Sequence, residues 1–267
     1  MTERVPVVAT TSMLWLIDSD DPIADLRVGV VNDHVTAETL ARNIIGDSVL
    51  VPRGETTLDR VASGADDEIG VGVYGRLAVI AGPRLAATAP SELPTELVTA
   101  RPTAHAYLVH TDTDAAYGVF AQWDEGRLRR SFAADPVDIV ENEGLPFVFE
   151  RAFWAGEHPL QYVDGVAHDP QALPFHPVEF AASAAHTWLG LRLDAAAASP
   201  DDTGSDFPIS RLPVSRFVIR PPGHQPTDDD HAQGPSAPHA ADGDAGSNGD
   251  DAPPAVKVAR WFGFGKR

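Results

Sequence analysis

The sequence predicts an α+β fold: a single domain with a mainly antiparallel sheet and a few inserted helices, followed by a disordered C-terminal tail. Three observations support this prediction: a strong hairpin pattern, several short apolar strands bounded by turn residues, and a sharp change of composition near residue 220. We place the domain at 1–220 with a flexible loop at 194–206, an acidic linker at 221–255 and a C-terminal peptide at 256–267.

The hairpin lies in "AAYGVFAQWDEGRLRRSFAAD". Apolar side chains alternate along its first strand, at Tyr117, Val119, Ala121 and Trp123. The following "DEG" supplies a short turn in which Gly126 can adopt a positive φ. This alternation and this turn predict two antiparallel strands joined directly to each other.

Four other stretches predict strands. They are the apolar run 7–17, the segment "IGVGVYGRLAVIAG" with a turn at Tyr74 and Gly75, the segment "TAHAYLVHTD" and the segment "SRFVIR". The run 7–17 is apolar at nearly every position, which indicates a strand that is buried on both faces.

Two segments predict helices of three turns or more, and "PSELPTELVTA" predicts a short helical turn. In "HVTAETLARNIIG", Thr36 is our expected N-cap and Gly46 the expected stop. The second helix should begin at Pro177, with Glu179 in its first turn, and end near Gly190.

Composition narrows the classes of function. The net charge of −19 repels phosphate backbones, so we expect no general nucleic-acid binding by the domain. The absence of cysteine excludes disulfides and thiolate chemistry. We find no signal peptide and no apolar run long enough for a transmembrane segment, and we expect a cytoplasmic protein.

The tail carries a separate signal. Residues 221–255 are rich in Asp, Gly and Pro and contain no Lys or Arg, which predicts disorder. Residues 256–267 are basic and aromatic, and their candidate interaction residues are Arg260, Trp261, Phe262, Phe264, Lys266 and Arg267. We expect this peptide either to bind an unknown protein partner or to dock on the acidic domain of its own chain.

The stretch "FWAGEHPLQYVDGVAHDPQALPFHPVEF" holds the strongest candidate metal ligands. His158, His176 and Glu157, with His168 as a further candidate, offer imidazole and carboxylate groups suited to one divalent transition metal. The spacing matches no established metal motif, and the same residues also suit a turn that leads into a helix, with His176 near its N-cap.

The acidic segment after the first strand is a weaker candidate. Asp18 and Asp20 lie where Mg²⁺-dependent phosphotransferases place carboxylates. That class also needs a suitably placed lysine, and the chain's lysines are Lys257 and Lys266. We therefore keep Asp18 and Asp20 only as helper carboxylates for the metal site, beside the interpretation as an acidic turn.

Three blocks carry a family resemblance: "WLIDSDD", "WDEGRLRRSF", and "ENEGLPFVFERAFWAGEHPL" followed by "LPFHPVEFAASAAHTWLGLRL". They resemble a family of uncharacterised bacterial proteins that is classed as a domain of unknown function. The resemblance covers about 7–193. It implies no activity and no catalytic roles; the matching residues are Trp154, Gly156, Glu157, His158, Pro159, Phe175, His176 and Pro177.

No complete catalytic pattern emerges from the sequence. There is no G-x-S-x-G motif and no phosphate-binding glycine loop, and we assign no catalytic triad and no cofactor. We therefore expect a non-catalytic or regulatory binding protein with a tethered C-terminal peptide. The alternative is a metal-dependent hydrolase that uses His158, His176 and Glu157.

Overall fold

Nine antiparallel strands form one sheet in the computed structural model, which describes residues 10–28, 30–160, 171–193 and 207–225. The strands of this sheet are β1 (Thr10–Ile17), β2 (Val49–Thr57), β3 (Glu68–Tyr74), β4 (Leu77–Ala81), β5 (His105–Asp112), β6 (Tyr117–Asp124), β7 (Arg127–Ala134), β8 (Ile139–Gly144) and β11 (Pro213–Arg220). Two short strands, β9 (Leu191–Arg192) and β10 (Phe207–Pro208), form a separate parallel pair.

The strand order is β2-β11-β3-β4-β1-β5-β6-β7-β8. Strands β5 to β8 follow one another in order, but β1 lies between β4 and β5, and β11, the last strand of the described chain, lies between β2 and β3. Strands β2 and β8 are the two edges of the sheet. The predicted fold class, α+β with a mainly antiparallel sheet, is confirmed.

Helices cover both faces of the sheet. They are α1 (Pro22–Val28), α2 (His34–Ile45), α3 (Leu58–Ala62), α4 (Thr95–Val98), α5 (Glu150–Trp154) and α6 (Pro177–Leu189). Helices α1, α3, α5 and α6 pack on the face that carries Trp15, whereas α2 and α4 pack on the face that carries Leu14. Because β1 contributes to both cores, its residues from Met13 to Ile17 are all apolar.

The hairpin forms as predicted. Strands β6 and β7 pair from Gly118 to Asp124 with one register shift at Gln122 and Trp123, and the turn between them places Glu125 and Gly126 at φ values of 49° and 75°. Positive φ at both central residues is the geometry of a type I′ turn, whose twist matches that of the flanking strands. The predicted strands around Tyr74 and Gly75 and at His105–Asp112 are also present.

The helix caps agree with prediction except at one position. Helix α2 is capped by Asp33, whose carboxylate accepts hydrogen bonds from the backbone N–H and the hydroxyl of Thr36, so the prediction of Thr36 as N-cap was wrong. These bonds, the largest of the causes, hold the pKa of Asp33 below its usual value. Gly46 and Gly190 end α2 and α6 as expected.

The described residues belong to one compact unit, Met1–Pro235.

The predicted loop 194–206, nearly all of the linker 221–255 and the whole peptide 256–267 lie outside the described residues, so their assignments stay predictions. No helix in the described ranges is long and apolar enough to cross a membrane.

Candidate functional site

A buried ion pair holds the block that contains the candidate metal ligands against the sheet. Arg130 of β7 and Glu150 of α5 are both fully buried, and the guanidinium binds the carboxylate through two hydrogen bonds of 2.9 and 2.7 Å. Arg130 also donates to Asn142, while Glu150 accepts from the backbone N–H of Phe147. Each charge is therefore compensated, and α5 is fixed in position over β7.

Aromatic packing completes this anchor. The rings of Phe153 and Trp154 in α5 meet the ring of Phe175 edge-on, at centroid distances of 5.7 and 5.0 Å. The fully buried ring of Phe180 in α6 joins the same cluster. Several residues of the "WAGEHP" and "LPFHP" blocks thus pack the helices of one face on the sheet.

Glu157 and His158 lie in the exposed turn that follows α5. Gly156 adopts a φ of 75°, and the backbone N–H of Glu157 donates to the carbonyl of Ala152, which closes the turn. The His158 ring stacks on Phe153 with a centroid distance of 4.1 Å. His158 is therefore oriented by an aromatic contact.

His176 is the N-cap of α6, where its Nδ1 accepts a hydrogen bond of 3.3 Å from the backbone N–H of Val178. The described part of the chain contains no group of three or more His, Asp or Glu side chains that could hold a metal ion. His168 lies outside that part. The metal site of His158, His176 and Glu157 therefore stays a prediction.

The carboxylates after β1 interact locally. Asp18 is exposed and lies 3.9 Å from Arg76, and Asp20 is also exposed. Asp21 accepts a hydrogen bond from the backbone N–H of Ala24 at the start of α1. This geometry fits the acidic-turn interpretation, and a helper role for Asp18 and Asp20 stays a prediction.

A second surface, which the sequence did not indicate, lies along the edge strand β8. We call it the β8 surface; its large apolar side chains are exposed by 37–81% and are Ile139 and Val140 on β8, Leu145 and Val148 in the segment that follows, and Trp154 at the end of α5. Exposed carboxylates of Asp138 and Glu143 lie on the same segment. Sequence reasoning missed β8 because "IVENEG" neither alternates nor forms an apolar run.

The two edges of the sheet differ in how they are protected. The register is irregular at both edges, opposite Ser215 and Phe217 in β2 and at Val140 in β8, but only β2 carries a proline, Pro52, which discourages the addition of another strand. Strand β8 has no proline, and its apolar side chains remain exposed. An exposed edge with apolar side chains is a surface to which another chain can bind.

Comparison with known proteins gives one match. Residues 11–217 match the model of a family described as a family of unknown function (DUF6928). The chain matches no curated protein and no solved structure.

Proposed function

The chain belongs to this family of unknown function, and we propose that it is a protein-binding domain that takes an extended peptide segment along strand β8. The observation that supports the proposal is the β8 surface itself. Among the described residues β8 pairs with β7 alone, so its outer edge presents backbone donors and acceptors without a partner strand. An added strand would use them, as in other cases of β-strand addition.

The chemistry of the surface defines the partner. Side chains of an added strand alternate between the two faces of the sheet, where they would meet the apolar side chains of Ile139 and Val140. The carboxylates of Asp138 and Glu143, within a chain of net charge −19, favour a positively charged segment. The partner is thus an extended segment with apolar and basic side chains.

Residues 256–267, "VKVARWFGFGKR", have this chemistry. The segment combines Trp261, Phe262 and Phe264 with four basic side chains. It supports the expectation that the C-terminal peptide takes part in binding, and it supplies a probe of known sequence. Whether this segment of the same chain competes with an added peptide is an outcome of the experiment below.

The test is the binding of a fluorescent synthetic peptide of residues 256–267, measured by fluorescence anisotropy. We expect the full chain to bind it and Val140→Lys to weaken binding at least tenfold, because lysine removes an apolar contact and repels the basic peptide. Val28→Lys is the matched control, since Val28 is also exposed, lies on α1 and gives the same change of charge. A scrambled peptide of equal charge controls for sequence.

Two further results decide the outcome. A chain that ends at Ala255 should bind the peptide more tightly than the full chain if the full chain occupies its own β8 surface. Equal weakening by Val28→Lys and Val140→Lys, or equal binding of the scrambled peptide, would show that net charge alone attracts the peptide. No binding to either chain would refute the proposal.

A further inference from the structure

At the opposite edge of the sheet, three side chains from distant parts of the sequence form a hydrogen-bonded row. The Oγ of Ser215 lies 2.9 Å from Nδ1 of His34, and Nε2 of His34 lies 3.1 Å from Oε2 of Glu55. A fourth side chain, Asn32, places its Nδ2 atom 2.9 Å from the same Ser215 Oγ. A serine, a histidine and a carboxylate joined in this order are the elements of nucleophilic catalysis.

The fold brings these groups together from three elements. Ser215 on β11 lies directly opposite Glu55 on β2, so both side chains project from the same face. The register of the two strands shifts just beyond this pair, where Gly54 adopts a φ of 82°. Helix α2 begins at His34 on that face, and the imidazole therefore bridges Ser215 and Glu55. Bulges of this kind often re-aim side chains next to active sites.

The hydrogen-bond partners of Asn32, His34 and Ser215 determine which atom of each side chain carries a hydrogen. Oδ1 of Asn32 accepts the backbone N–H of Val73, so the Asn32 amide nitrogen must face Ser215. The carboxylate of Glu55 can only accept, so Nε2 of His34 carries the proton and Nδ1 carries the lone pair. Ser215 accordingly donates its hydroxyl proton to Nδ1 and accepts from Asn32, which leaves one lone pair of Oγ for attack.

We propose that this row is a catalytic site for acyl transfer, with Ser215 as nucleophile and His34 as general base. Glu55 is a positioning residue that holds the tautomer and orientation of His34. Asn32 is a second positioning residue, because its amide N–H donates to Ser215 Oγ and holds that oxygen beside His34. The site is independent of the β8 surface.

The reaction is hydrolysis of a carboxylic ester. Ser215 Oγ bonds to the carbonyl carbon while its proton passes to His34, and the carbonyl electron pair moves to the oxygen. Collapse of this intermediate breaks the bond to the alcohol oxygen, which takes the proton from His34 and departs as the alcohol. Water then attacks the acylated serine and gives its proton to His34, which returns it to Ser215 as the carboxylic acid leaves.

The surroundings indicate an apolar acyl group. Val31 and Val35, which flank Asn32 and His34 in the sequence, are 86% and 77% exposed. Exposed apolar side chains next to Asn32 and His34 in the chain offer contact to an alkyl group that is bound near them. The exposed carboxylate of Glu55 and the overall negative charge disfavour anionic substrates.

A second serine–histidine contact in the molecule provides an internal control. Ser12 lies 2.7 Å from Nδ1 of His110, but Ser12 is completely buried between β4 and β5. Ser12 thus makes the same kind of contact with an imidazole as Ser215 does. It lacks the exposed imidazole and the exposed carboxylate that the row around Ser215 has. Ser215 is itself only 5% exposed, but the side chains of its partners His34 and Glu55 are 59% and 47% exposed, whereas Ser12 has no exposed partner of this kind. A reagent that reaches a serine through its exposed partners should therefore distinguish Ser215 from Ser12.

The test is covalent labelling of the full chain by an alkyl fluorophosphonate, in which the serine oxygen bonds to phosphorus and fluoride leaves. We expect intact mass spectrometry to show one added phosphonyl group and peptide mapping to place it on Ser215. Ser215→Ala should abolish the label, and His34→Ala should slow it at least a hundredfold. Ser12→Ala should label like the wild type. Glu55→Gln should slow labelling, because the amide no longer holds the tautomer of His34, and an unchanged Tm would show that this variant is folded.

The rate of p-nitrophenyl hexanoate hydrolysis by the same proteins gives a second measurement. We expect the variants to rank in this assay in the same order as in the labelling. Absence of label on Ser215 in folded wild-type protein, or a label that His34→Ala leaves unchanged, would overturn the proposal. Because the wild-type peptide map locates the label, the conclusion holds even if Ser215→Ala fails to fold. Neither result depends on whether β8 binds a peptide.

Discussion

Arg130 and Glu150 show how single residues fix this fold. The pair is fully buried, yet its hydrogen bonds extend to Asn142, to the backbone of Phe147 and to neighbouring carbonyls. Such a network costs desolvation energy on formation, and loss of one member leaves the other charge buried without compensation. The sequence alone did not predict this ion pair. Two charged residues that are twenty positions apart form no local sequence pattern, so neither Arg130 nor Glu150 stands out from other charged residues.

Arg130→Met should therefore lower the free energy of unfolding by about 3–5 kcal/mol, because Glu150 would remain buried without its partner. The measurement is urea denaturation followed by tryptophan fluorescence. The double variant Arg130→Met/Glu150→Leu should recover a large part of this loss, which a double-mutant cycle would quantify. Additive effects of the two single variants would show that the pair does not act as a unit.

His110 should make stability depend on pH. Burial, the largest cause, lowers the pKa of His110 below its usual value, so between the two values the unfolded chain binds a proton that the folded chain does not. Stability from this residue is therefore fully present at neutral pH and decreases as pH falls below about 6.5.

Urea denaturation at pH 7.5 and pH 5.5 tests this expectation. Wild type should lose more stability between the two pH values than His110→Gln, which cannot titrate in this range. A pH dependence that is identical in the two proteins would assign the effect to other groups.

At the scale of elements, the contact between α6 and β6 depends on a glycine. A Cβ atom at Gly118 would lie 2.0 Å from the carbonyl oxygen of Pro177, the first residue of α6. The hairpin pattern places Gly118 correctly in β6, but it contains no information about which helix approaches that strand. Packing between elements is thus less visible in the sequence than the elements themselves.

Gly118→Ala should destabilise the protein by roughly 1–3 kcal/mol or more, because the start of α6 has to move away from β6. The control is Gly75→Asn, at a turn position with open space and a φ of 61°, a conformation that asparagine tolerates. Thermal unfolding by circular dichroism compares the two. Equal melting temperatures of Gly118→Ala and Gly75→Asn would contradict the close contact.

The strands that the sequence predicted are those with a clear local pattern of apolar residues. The central strands β1 and β5 and the hairpin β6–β7 are apolar or alternating, and each was predicted. The edge strands β2 and β8 contain Pro, Gly and Glu, since one side of an edge strand meets solvent, and neither was predicted.

At the scale of the whole molecule, the class of fold followed from local patterns, whereas the strand order and the candidate sites did not. His34 and Ser215 are separated by 181 positions in the sequence and meet only because α2 packs on β11. A serine nucleophile without a local motif gives no signal in a single sequence. The β8 surface likewise becomes visible only once the sheet shows which strand is its edge.

The place of β11 also bears on how the chain folds while it is being made. Strands β2 and β3 each pair with β11, so the sheet keeps a gap between them until residue 220 has left the ribosome. Nascent chains and prematurely terminated products would expose the inner edges of that gap, which makes them natural substrates for chaperones and proteases. Since β11 also carries Ser215, no incomplete chain can assemble the row with His34 and Glu55, and the proposed chemistry would begin only after synthesis is nearly finished.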